Sequence, residues 1–418
     1  MLNEILSRNN MLAAYARVVS NQGAPGVDGM DVDSLHDHVK HNWVSIRQRI
    51  ETGTYIPMAV KKVEIPKPNG GLRMLGIPTV TDRLIQQSIA QVVSLYYDSS
   101  FSSNSYGFRP GRSAHQAVAK AQCYLNEGFT YVVELDLEKF FDKVNHDKLM
   151  SLLSRRLTDK SLLKLIRRYL RTGILCNGLC QRREEGTPQG SPLSPVLSNI
   201  LLDELDKELD RRGLRYVRYA DDVSIYVGSQ RSSERVLQSI TKYIEEELLL
   251  KVNVKKSKVS RPVHSSLLGF TFGKRKSGWC PYVSSKSKQR IKEKIKRVTN
   301  RSKSMNLQAR LVKLSQITIG WCSYYKLAYC KSFLRSLDEW TRFRLRLCIW
   351  KAWKTPKKRI RELIRLGMDK WKAHRNGNTR KGYCRIAHSG ILNHTLTNAE
   401  LERLGFQPLL AYYESRHV

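Results

Sequence analysis

Acidic residues, paired cysteines and long apolar runs are all scarce in this sequence of 418 residues. Its eight cysteines are scattered, and only Cys176 and Cys180 lie close together. Neither the CxxC pairs of a zinc site nor a secreted disulfide scaffold is therefore indicated. No run of 18 apolar residues occurs, and the amino-terminal MLNEILSRNN lacks a long apolar stretch, which argues against a membrane span and a secretory signal. These absences predict a soluble, cytoplasmic protein with no membrane partner.

The charge balance points to a polyanionic partner. Asp and Glu number only 37 against 73 Lys and Arg, which gives a formal net charge of +36. Residues 271–418 contain 35 basic and 8 acidic residues, a net charge of +27. Such a field attracts nucleic acid. The alternative is a merely solvated basic surface, as in ribosomal proteins, because charge runs often only keep a face soluble.

The spacing of apolar residues predicts helices alternating with strands, an α+β class. Helical spacing in residues 2–19 predicts a short amino-terminal helical extension. A hairpin is expected within residues 55–80, a strand at 131–135 and a second hairpin at 216–227. Further helices are expected at residues 81–93, 148–170 and 194–209. After residues 275–285 basic helices dominate, including a long one at 333–353 that ends before Pro356.

Three aspartates lie at predicted strand ends, where carboxylates project beyond a sheet. Asp136 follows the strand at residues 131–135, and Asp221 and Asp222 lie at the turn of the second hairpin. Carboxylate oxygens suit Mg²⁺, and three such ligands could hold two ions roughly 3.5–4 Å apart for phosphoryl transfer. A lone Asp-Asp pair is usually a solvated turn, so its sequence context decides the interpretation.

That context resembles the reverse transcriptases encoded by group II introns. Residues 218–222, RYADD, resemble their Y-x-D-D box, and residues 134–137, ELDL, resemble their first carboxylate motif. Residues 186–195, GTPQGSPLSP, resemble the segment just before the Y-x-D-D box, although a Gly- and Pro-rich loop is the alternative. Further matching segments are GVDG at 26–29, SYGFRP at 105–110, DKVNH at 142–146, GWCSYY at 320–325 and RLRLCIWK at 344–351.

The resemblance implies a nucleotide site around the three aspartates. Asp136, Asp221 and Asp222 are then the catalytic residues and the ligands of two Mg²⁺ ions, for which Mn²⁺ could substitute. Lys67 and Arg73 hold the triphosphate on a fingers hairpin, where a solvated turn is the alternative. Gln189 lies beside the incoming nucleotide. Phe141 is the steric gate against a ribose 2′-hydroxyl, with Phe140 as a competitor for that role.

The resemblance also implies contacts to the leaving group and to nucleic acid. Lys256, or the nearby Lys258, supplies a general acid to pyrophosphate. Gly269 and Phe270 form the primer grip. The nucleic-acid contacts expected in the basic region are Lys292, Lys296, Arg344, Arg346 and Lys351. The aromatic residues of the long basic helix are expected to be mostly core, with base stacking as the alternative.

The implied fold is a right-hand polymerase of the α+β class with a helical thumb. The expected divisions are an extension at residues 1–50, fingers and palm at 51–275, a thumb or maturase domain at 276–360, and a small basic domain at 361–418. No HNH-type endonuclease with paired cysteines is expected.

The implied function is RNA-directed DNA polymerisation in a bacterial cytoplasm. The expected partners are an RNA template, a DNA or RNA primer, deoxynucleoside triphosphates, group II intron RNA and target-site DNA. The protein would assist splicing and copy the intron into cDNA during retrohoming. Two alternatives stay open: a splicing cofactor that only binds RNA, and a domesticated reverse transcriptase that works in repair or defence.

Overall fold

The computed structural model describes residues 1–66, 70–176, 179–181, 184–188 and 190–416, with only the backbone of residues 73, 176, 179 and 180. The chain divides into two compact units, Met1–Ser265 and Ser266–Val418. No helix among the described residues is long and apolar enough to cross a membrane.

The first unit begins with three helices that pack against a fourth. They are α1 (Leu2–Ile5), α2 (Arg8–Ser20) and α3 (Leu35–Glu51), and the fourth is α4 (Val80–Asp98). Ser7 caps α2 by accepting a hydrogen bond from Asn10 N, as helix starts favour. The expected amino-terminal helices are confirmed. Helix α3 was not predicted, because its buried residues Leu35, Ile46 and Ile50 are widely separated among polar ones.

A small sheet follows, with strand order β2-β1-β4-β5. Strands β1 (Val60–Pro66) and β2 (Leu72–Ile77) form the expected antiparallel hairpin, and Val60 also pairs in parallel with Ile174 of β4 (Ile174–Cys176). β5 (Leu179–Gln181) pairs with β4.

The central sheet has strand order β6-β7-β3-β8, and all its neighbours are antiparallel. The strands are β3 (Tyr131–Leu135), β6 (Arg215–Tyr219), β7 (Asp222–Val227) and β8 (Lys258–Ser260). The expected strand and second hairpin are thereby confirmed. Buried residues of this sheet and of the surrounding helices share one hydrophobic core. Those helices are α6 (Phe140–Lys143), α7 (His146–Ser154), α8 (Lys160–Arg171), α9 (Ser194–Arg211) and α10 (Gln230–Glu246). Helix α5 (Ala114–Asn126) instead packs against β6 and β7.

The second unit consists of one hairpin followed by helices. The hairpin pairs β9 (Phe270–Arg275) with β10 (Gly278–Val283), so this unit begins before residue 275, and the four-part division stays a prediction. The helices are α11 (Ser285–Val298), α12 (Leu307–Tyr324), α13 (Lys331–Ala352), α14 (Pro356–Arg365), α15 (Lys370–Gly377), α16 (Tyr383–Ala387), α17 (Gly390–Thr395), α18 (Asn398–Arg403) and α19 (Leu409–Glu414). Pro356 occupies the first position of α14, where a missing N–H has no cost.

Candidate active site

The turn between β6 and β7 carries two of the three aspartates. Tyr219 pairs with Asp222 across the hairpin, so Ala220 and Asp221 form a two-residue connection. Ala220 has a φ of 57°, in the left-handed region that a residue with a side chain adopts at a cost of about 1 kcal/mol. Such a turn persists only where its surroundings hold it in place.

A buried ion pair holds this turn from behind. Arg218 and Asp206 are both completely buried, and Arg218 Nε donates to Asp206 Oδ1 at 2.8 Å. Arg218 Nη1 donates to the carbonyl oxygen of Ala220 and to Asn199 Oδ1, each at 3.0 Å. The ion pair therefore connects α9 directly to the strained peptide, and each buried charge has its partner.

The SYGFRP segment packs against the same turn. Tyr106 N donates to the carbonyl oxygen of Arg218 at 2.9 Å, and Asn199 Nδ2 donates to that of Gly107 at 2.8 Å. A Cβ atom on Gly107 would lie 2.2 Å from Ala220 N, so only glycine allows this approach. The sequence resemblance included this segment but assigned no role to it. In the structure its backbone packs against the acidic turn and stabilises it.

Sequence reasoning did not identify Asn199 and Asp206. The sequence does contain a sign of their importance, because the two residues are seven positions apart on α9 and interrupt an apolar helix face. Both are buried, with 1% and 0% of their surface exposed.

Asp136 lies at the end of β3, beside the turn. Because Leu135 pairs with Val223 in the antiparallel ladder, Asp136 comes level with Asp222. Its backbone N donates to Ser257 Oγ at 3.1 Å, and its carbonyl oxygen accepts from Asn253 N at 2.8 Å. The segment after α10 therefore fixes the position of Asp136.

Of the two candidate lysines, only Lys256 faces Asp136. Lys256 Nζ lies 3.0 and 3.3 Å from the two carboxylate oxygens of Asp136. Lys258 instead forms an ion pair with Glu134, its cross-strand neighbour, at 3.3 Å.

The three aspartates influence one another electrostatically. The pKa of Asp222 is raised to about 6, first by burial of its carboxyl group and then by the negative charges of Asp221 and Asp136, while Lys256 opposes the shift. By surface area Asp222 is an exposed residue, so water screens these charges and the shift contributes little to stability.

This arrangement suits a hard cation in its donor type and its charge. A group of carboxylates that repel one another is stabilised by a bound divalent ion, and oxygen is the donor that Mg²⁺ prefers. The described residues contain no three His, Cys, Asp or Glu side chains already gathered as a metal cluster. An ion at Asp136 would have to displace the ammonium group of Lys256.

The two phenylalanines of α6 have different environments. Phe140 is a core residue with 3% of its surface exposed, whereas Phe141 is only partly buried. Their rings meet edge to face at 5.3 Å. Phe141 is therefore the one of the two that retains surface for a ligand.

The GTPQG segment is attached to the backbone of α6. Thr187 N donates to the carbonyl oxygen of Phe141 at 2.6 Å, and Gly186 N donates to that of Val144 at 2.8 Å. Gly186 has a φ of 86°, and a Cβ atom there would lie 2.8 Å from Asp142 O. At the other end of the segment, a Cβ atom added to Gly190 would lie 3.0 Å from the carbonyl oxygen of Gly76 in β2. The segment thus connects α6 with the first hairpin.

The side chains of three expected nucleotide-binding residues are not among those that the structure describes. Lys67 and Gln189 lie outside the described residues, and only the backbone of Arg73 is described. Arg73 pairs with Ile65 in the first hairpin.

The expected primer-grip residues pack against another segment of the second unit. Gly269 has a φ of 83°, and a Cβ atom there would lie 2.4 Å from the hydroxyl oxygen of Tyr325. Phe270 is completely buried, with its ring 4.9 Å from that of Tyr325. The hairpin is therefore packed against the GWCSYY segment of α12, and contact with a primer stays a prediction.

The expected nucleic-acid contacts fall into two groups. Lys292 and Lys296 are exposed on α11, and Lys351 is partly exposed on α13. Arg344 donates to Thr299 Oγ1 at 2.6 Å and to the Thr299 carbonyl oxygen at 2.9 Å.

Arg346 is buried and donates to the Leu396 carbonyl oxygen at 2.9 Å and to Asn398 Oδ1 at 3.2 Å. Burial lowers the pKa of both Arg344 and Arg346. The donors of both arginines bind the protein's own helix ends, so each has a role within the fold, and contact of Arg344 and Arg346 with RNA stays a prediction.

Comparisons with known proteins match these two regions separately. Residues 65–272 match the model of the reverse transcriptase (RNA-dependent DNA polymerase) family. Residues 288–367 match the group II intron, maturase-specific domain.

Individual relatives show the same relationship. The chain is 35% identical over 194 residues to protein YkfC of Escherichia coli, covering 45% of this chain and 51% of that protein. It is 34% identical over 176 residues to the group II intron-encoded protein LtrA of Lactococcus lactis, covering 42% of this chain and 29% of LtrA. A solved structure, the partial Cas6-RT-Cas1–Cas2 complex, matches with 26% identity and a TM-score of 0.38, over 59% of this chain and 42% of that chain. The chain thus spans about half the length of YkfC and less of LtrA.

The two matched regions follow each other along the chain, and the first contains the acidic turn and Asp136. The α+β class with the fold of a right-hand polymerase is thereby confirmed. This chain belongs to the group II intron-encoded reverse transcriptases, which carry a maturase-specific domain after the polymerase region.

Proposed function

We propose that this chain is an RNA-directed DNA polymerase that binds group II intron RNA, assists its splicing and copies it into DNA at a target site. The observation that carries the proposal is the position of Asp136, level with Asp222 at one end of the central sheet and held there by backbone hydrogen bonds. Template, primer and deoxynucleoside triphosphates are the substrates, and target-site DNA is a further partner.

Asp136, Asp221 and Asp222 are the proposed ligands of two Mg²⁺ ions, with Mn²⁺ as a possible replacement. When bound, such ions activate a primer 3′-hydroxyl and neutralise charge on the leaving pyrophosphate. Lys256 has a long, exposed side chain beside Asp136, and we assign it the protonation of the departing pyrophosphate. The buried Arg218–Asp206 pair keeps the acidic turn in its strained conformation.

The nucleotide pocket is proposed to lie next to the acidic turn. Phe141 presents its partly buried ring against the 2′ position, which would favour deoxynucleotides. Gln189 belongs to the segment that is bonded to Phe141, and Lys67 and Arg73 on the first hairpin would contact the triphosphate. The guanidinium group of arginine suits phosphate oxygens because it donates two parallel hydrogen bonds.

Primer extension on poly(rA) with an oligo(dT) primer and Mg²⁺ tests the polymerase. Asp221→Asn should reduce incorporation of deoxynucleotide by at least ~100-fold, because a metal-binding charge is lost. Asp210→Asn, the same change at an exposed position of α9, is the matched control and should retain full activity. Equal activity of Asp221→Asn and wild type would contradict the assignment.

A second candidate is an RNA-binding splicing cofactor that does not need polymerisation. The maturase-specific match over residues 288–367 favours this role. Splicing of a group II intron RNA should then proceed equally well with Asp221→Asn. If wild type binds intron RNA and promotes splicing but extends no primer, the polymerase proposal is wrong and the cofactor role remains.

A further inference from the structure

A basic pocket of about 540 Å³ lies within the second unit, where the loop after α11 meets the carboxyl-terminal end of α13. Four lysines line it: Lys303, Lys351, Lys354 and Lys358. Arg301 lines it as well, and no Asp or Glu does. The positive charge in the pocket is therefore not compensated by an acidic lining residue, which favours an anionic ligand.

One wall of the pocket is fixed by a buried arginine. Arg310 has 4% of its surface exposed, and it donates hydrogen bonds to four backbone carbonyl oxygens, one at the end of α11 and three in the loop that follows. These belong to Val298, Asn300 at 3.3 Å, Lys303 at 3.2 Å and Met305 at 3.4 Å. Since Arg310 orders the loop that carries Lys303, the pocket is formed before any ligand binds. Binding therefore loses little conformational entropy in this loop.

Part of the remaining lining is apolar, beside the polar side chains of Ser302, Ser304 and Asn306. The residues that contribute to the apolar part include Met305, Leu307, Ile349 and Trp353. A site for phosphate alone needs only the cations, whereas a nucleotide carries a flat base that apolar side chains can cover. The volume falls within the range of about 300–1,000 Å³ that is usual for small-ligand sites. The combination of cations with an apolar surface therefore fits one nucleotide with its phosphates.

We propose that this pocket holds one unstacked nucleotide of a single-stranded RNA segment, with its base against the apolar side and its phosphates among the lysines. RNA is commonly recognised through single-stranded segments whose bases are splayed out. The assignment to RNA rests on the proposed function, because the pocket lies wholly within the region that matches the maturase-specific domain.

Binding of a fluorescein-labelled A12 RNA, measured by anisotropy without deoxynucleotides, tests the lysines. The variant Lys351→Gln/Lys354→Gln/Lys358→Gln should bind at least ~10-fold more weakly. Its plot of log K against log salt should flatten by about 2, since each phosphate contact on a single strand contributes about 0.7. The control Lys276→Gln/Lys313→Gln/Lys370→Gln removes the same charge from exposed positions outside the pocket and should change the affinity less than ~3-fold. Equal losses in the two variants would leave only a general electrostatic effect and overturn the proposal.

A 12-mer of abasic RNA tests the contact with the base, and a dA12 strand tests the assignment to RNA. Wild type should prefer A12 to the abasic strand, and Leu307→Ala should reduce that preference several-fold without changing the salt dependence. Equal binding of A12 and the abasic strand by wild type would overturn the base contact. A loss on dA12 as large as that on A12 in the triple-lysine variant would overturn the assignment to RNA.

The polymerase proposal and this one can fail separately. Asp221→Asn should bind A12 like wild type, because the pocket contains no part of the acidic turn. Failure of primer extension with intact, lysine-dependent A12 binding would contradict only the polymerase. A melting temperature close to that of wild type must accompany each variant, so that a loss of binding is not a loss of folding.

Discussion

At the scale of single residues, the acidity of Asp222 depends on one neighbour in the chain, Asp221, and on Asp136, which is distant in sequence. Burial and the charges of Asp221 and Asp136 raise its pKa to about 6. The carboxyl group is therefore ionised above about pH 6 and protonated below it. Only the ionised form can bind a divalent cation, so the requirement for metal should depend on pH.

The first prediction concerns this pH dependence. At limiting Mg²⁺ concentration, primer extension should fall as the pH decreases through about 6, and the half-saturating Mg²⁺ concentration should rise by up to ~10-fold per pH unit below it. Saturating Mg²⁺ should shift the fall to lower pH, because the cation stabilises the carboxylate. A half-saturating concentration that stays constant between about pH 5 and 7 would contradict the prediction.

The same shift has the opposite consequence for stability. Because the folded-state pKa of Asp222 is raised, the folded state binds the proton more tightly than the unfolded state. The stability of the protein therefore decreases as the pH rises from about 4 through about 6. Without metal and near pH 8, Asp222→Asn should raise the melting temperature slightly, while polymerisation is lost. A lower melting temperature for Asp222→Asn under these conditions would show that the charge repulsion has no net effect.

A third prediction concerns the buried ion pair behind the turn. Arg218→Lys keeps the charge but loses the fork that reaches both Asp206 and the Ala220 carbonyl oxygen. We expect polymerisation to fall by ~10–100-fold and the Mg²⁺ requirement to rise, because the carboxylates lose their alignment. Arg215→Lys, at an exposed position of the same strand, is the control. A loss of stability with an unchanged Mg²⁺ requirement would indicate a purely structural role.

At the scale of elements, the acidic turn depends on a backbone that approaches it from outside the sheet. The segment 105–110 places Gly107 directly against Ala220. Gly186 and Thr187 are hydrogen-bonded to the backbone at α6, and Gly190 lies close to the first hairpin. These contacts are made by main-chain atoms. Their residues are therefore sensitive to any added side chain, even one as small as a methyl group.

The fourth prediction tests this close approach. Gly107→Ala places a Cβ atom 2.2 Å from Ala220 N, and backbone atoms on both sides cannot yield easily. The melting temperature should fall by several degrees, and the remaining folded protein should lose at least ~10-fold of its polymerase activity. Gly228→Ala adds the same methyl group where no atom lies within 4 Å and should behave like wild type. Normal activity of Gly107→Ala would mean that the turn tolerates displacement.

At the scale of the whole molecule, positive charge serves two separate purposes. Residues 271–418 hold a net charge of +27, but buried arginines such as Arg346 use their donors to join helices. Exposed lysines such as Lys292 and Lys296 leave their charge on the surface. Charge alone therefore does not identify the residues that bind RNA.

A fifth prediction separates the two purposes. Arg346→Gln should lower the melting temperature by several degrees, because two acceptors at a helix end lose their donor, and should leave the salt dependence of RNA binding unchanged. Lys292→Gln/Lys296→Gln should reduce that salt dependence by about 1 with little change in melting temperature. The opposite pattern in a parallel measurement of the two variants would mean that Arg346 contacts RNA.

The sequence by itself determined the α+β class, the family and the three aspartates, because strand and helix periods and the RYADD and ELDL segments are local features of the chain. It also located α2, α4, α7, α8, α9 and α13 and both principal hairpins, but not α5 or α10. It did not locate α3, whose few buried residues are too widely spaced to form an apolar stripe.

Only the tertiary structure decided which residues act together. It joined Asn199 and Asp206 to the turn, placed Lys256 rather than Lys258 at Asp136, left Phe141 rather than Phe140 accessible, and buried Arg346. Each of these outcomes depends on which face of an element is packed and on which distant segment covers it. Residue type and spacing along the chain do not contain that information, because burial and hydrogen-bond partners arise only when elements far apart in sequence are brought into contact.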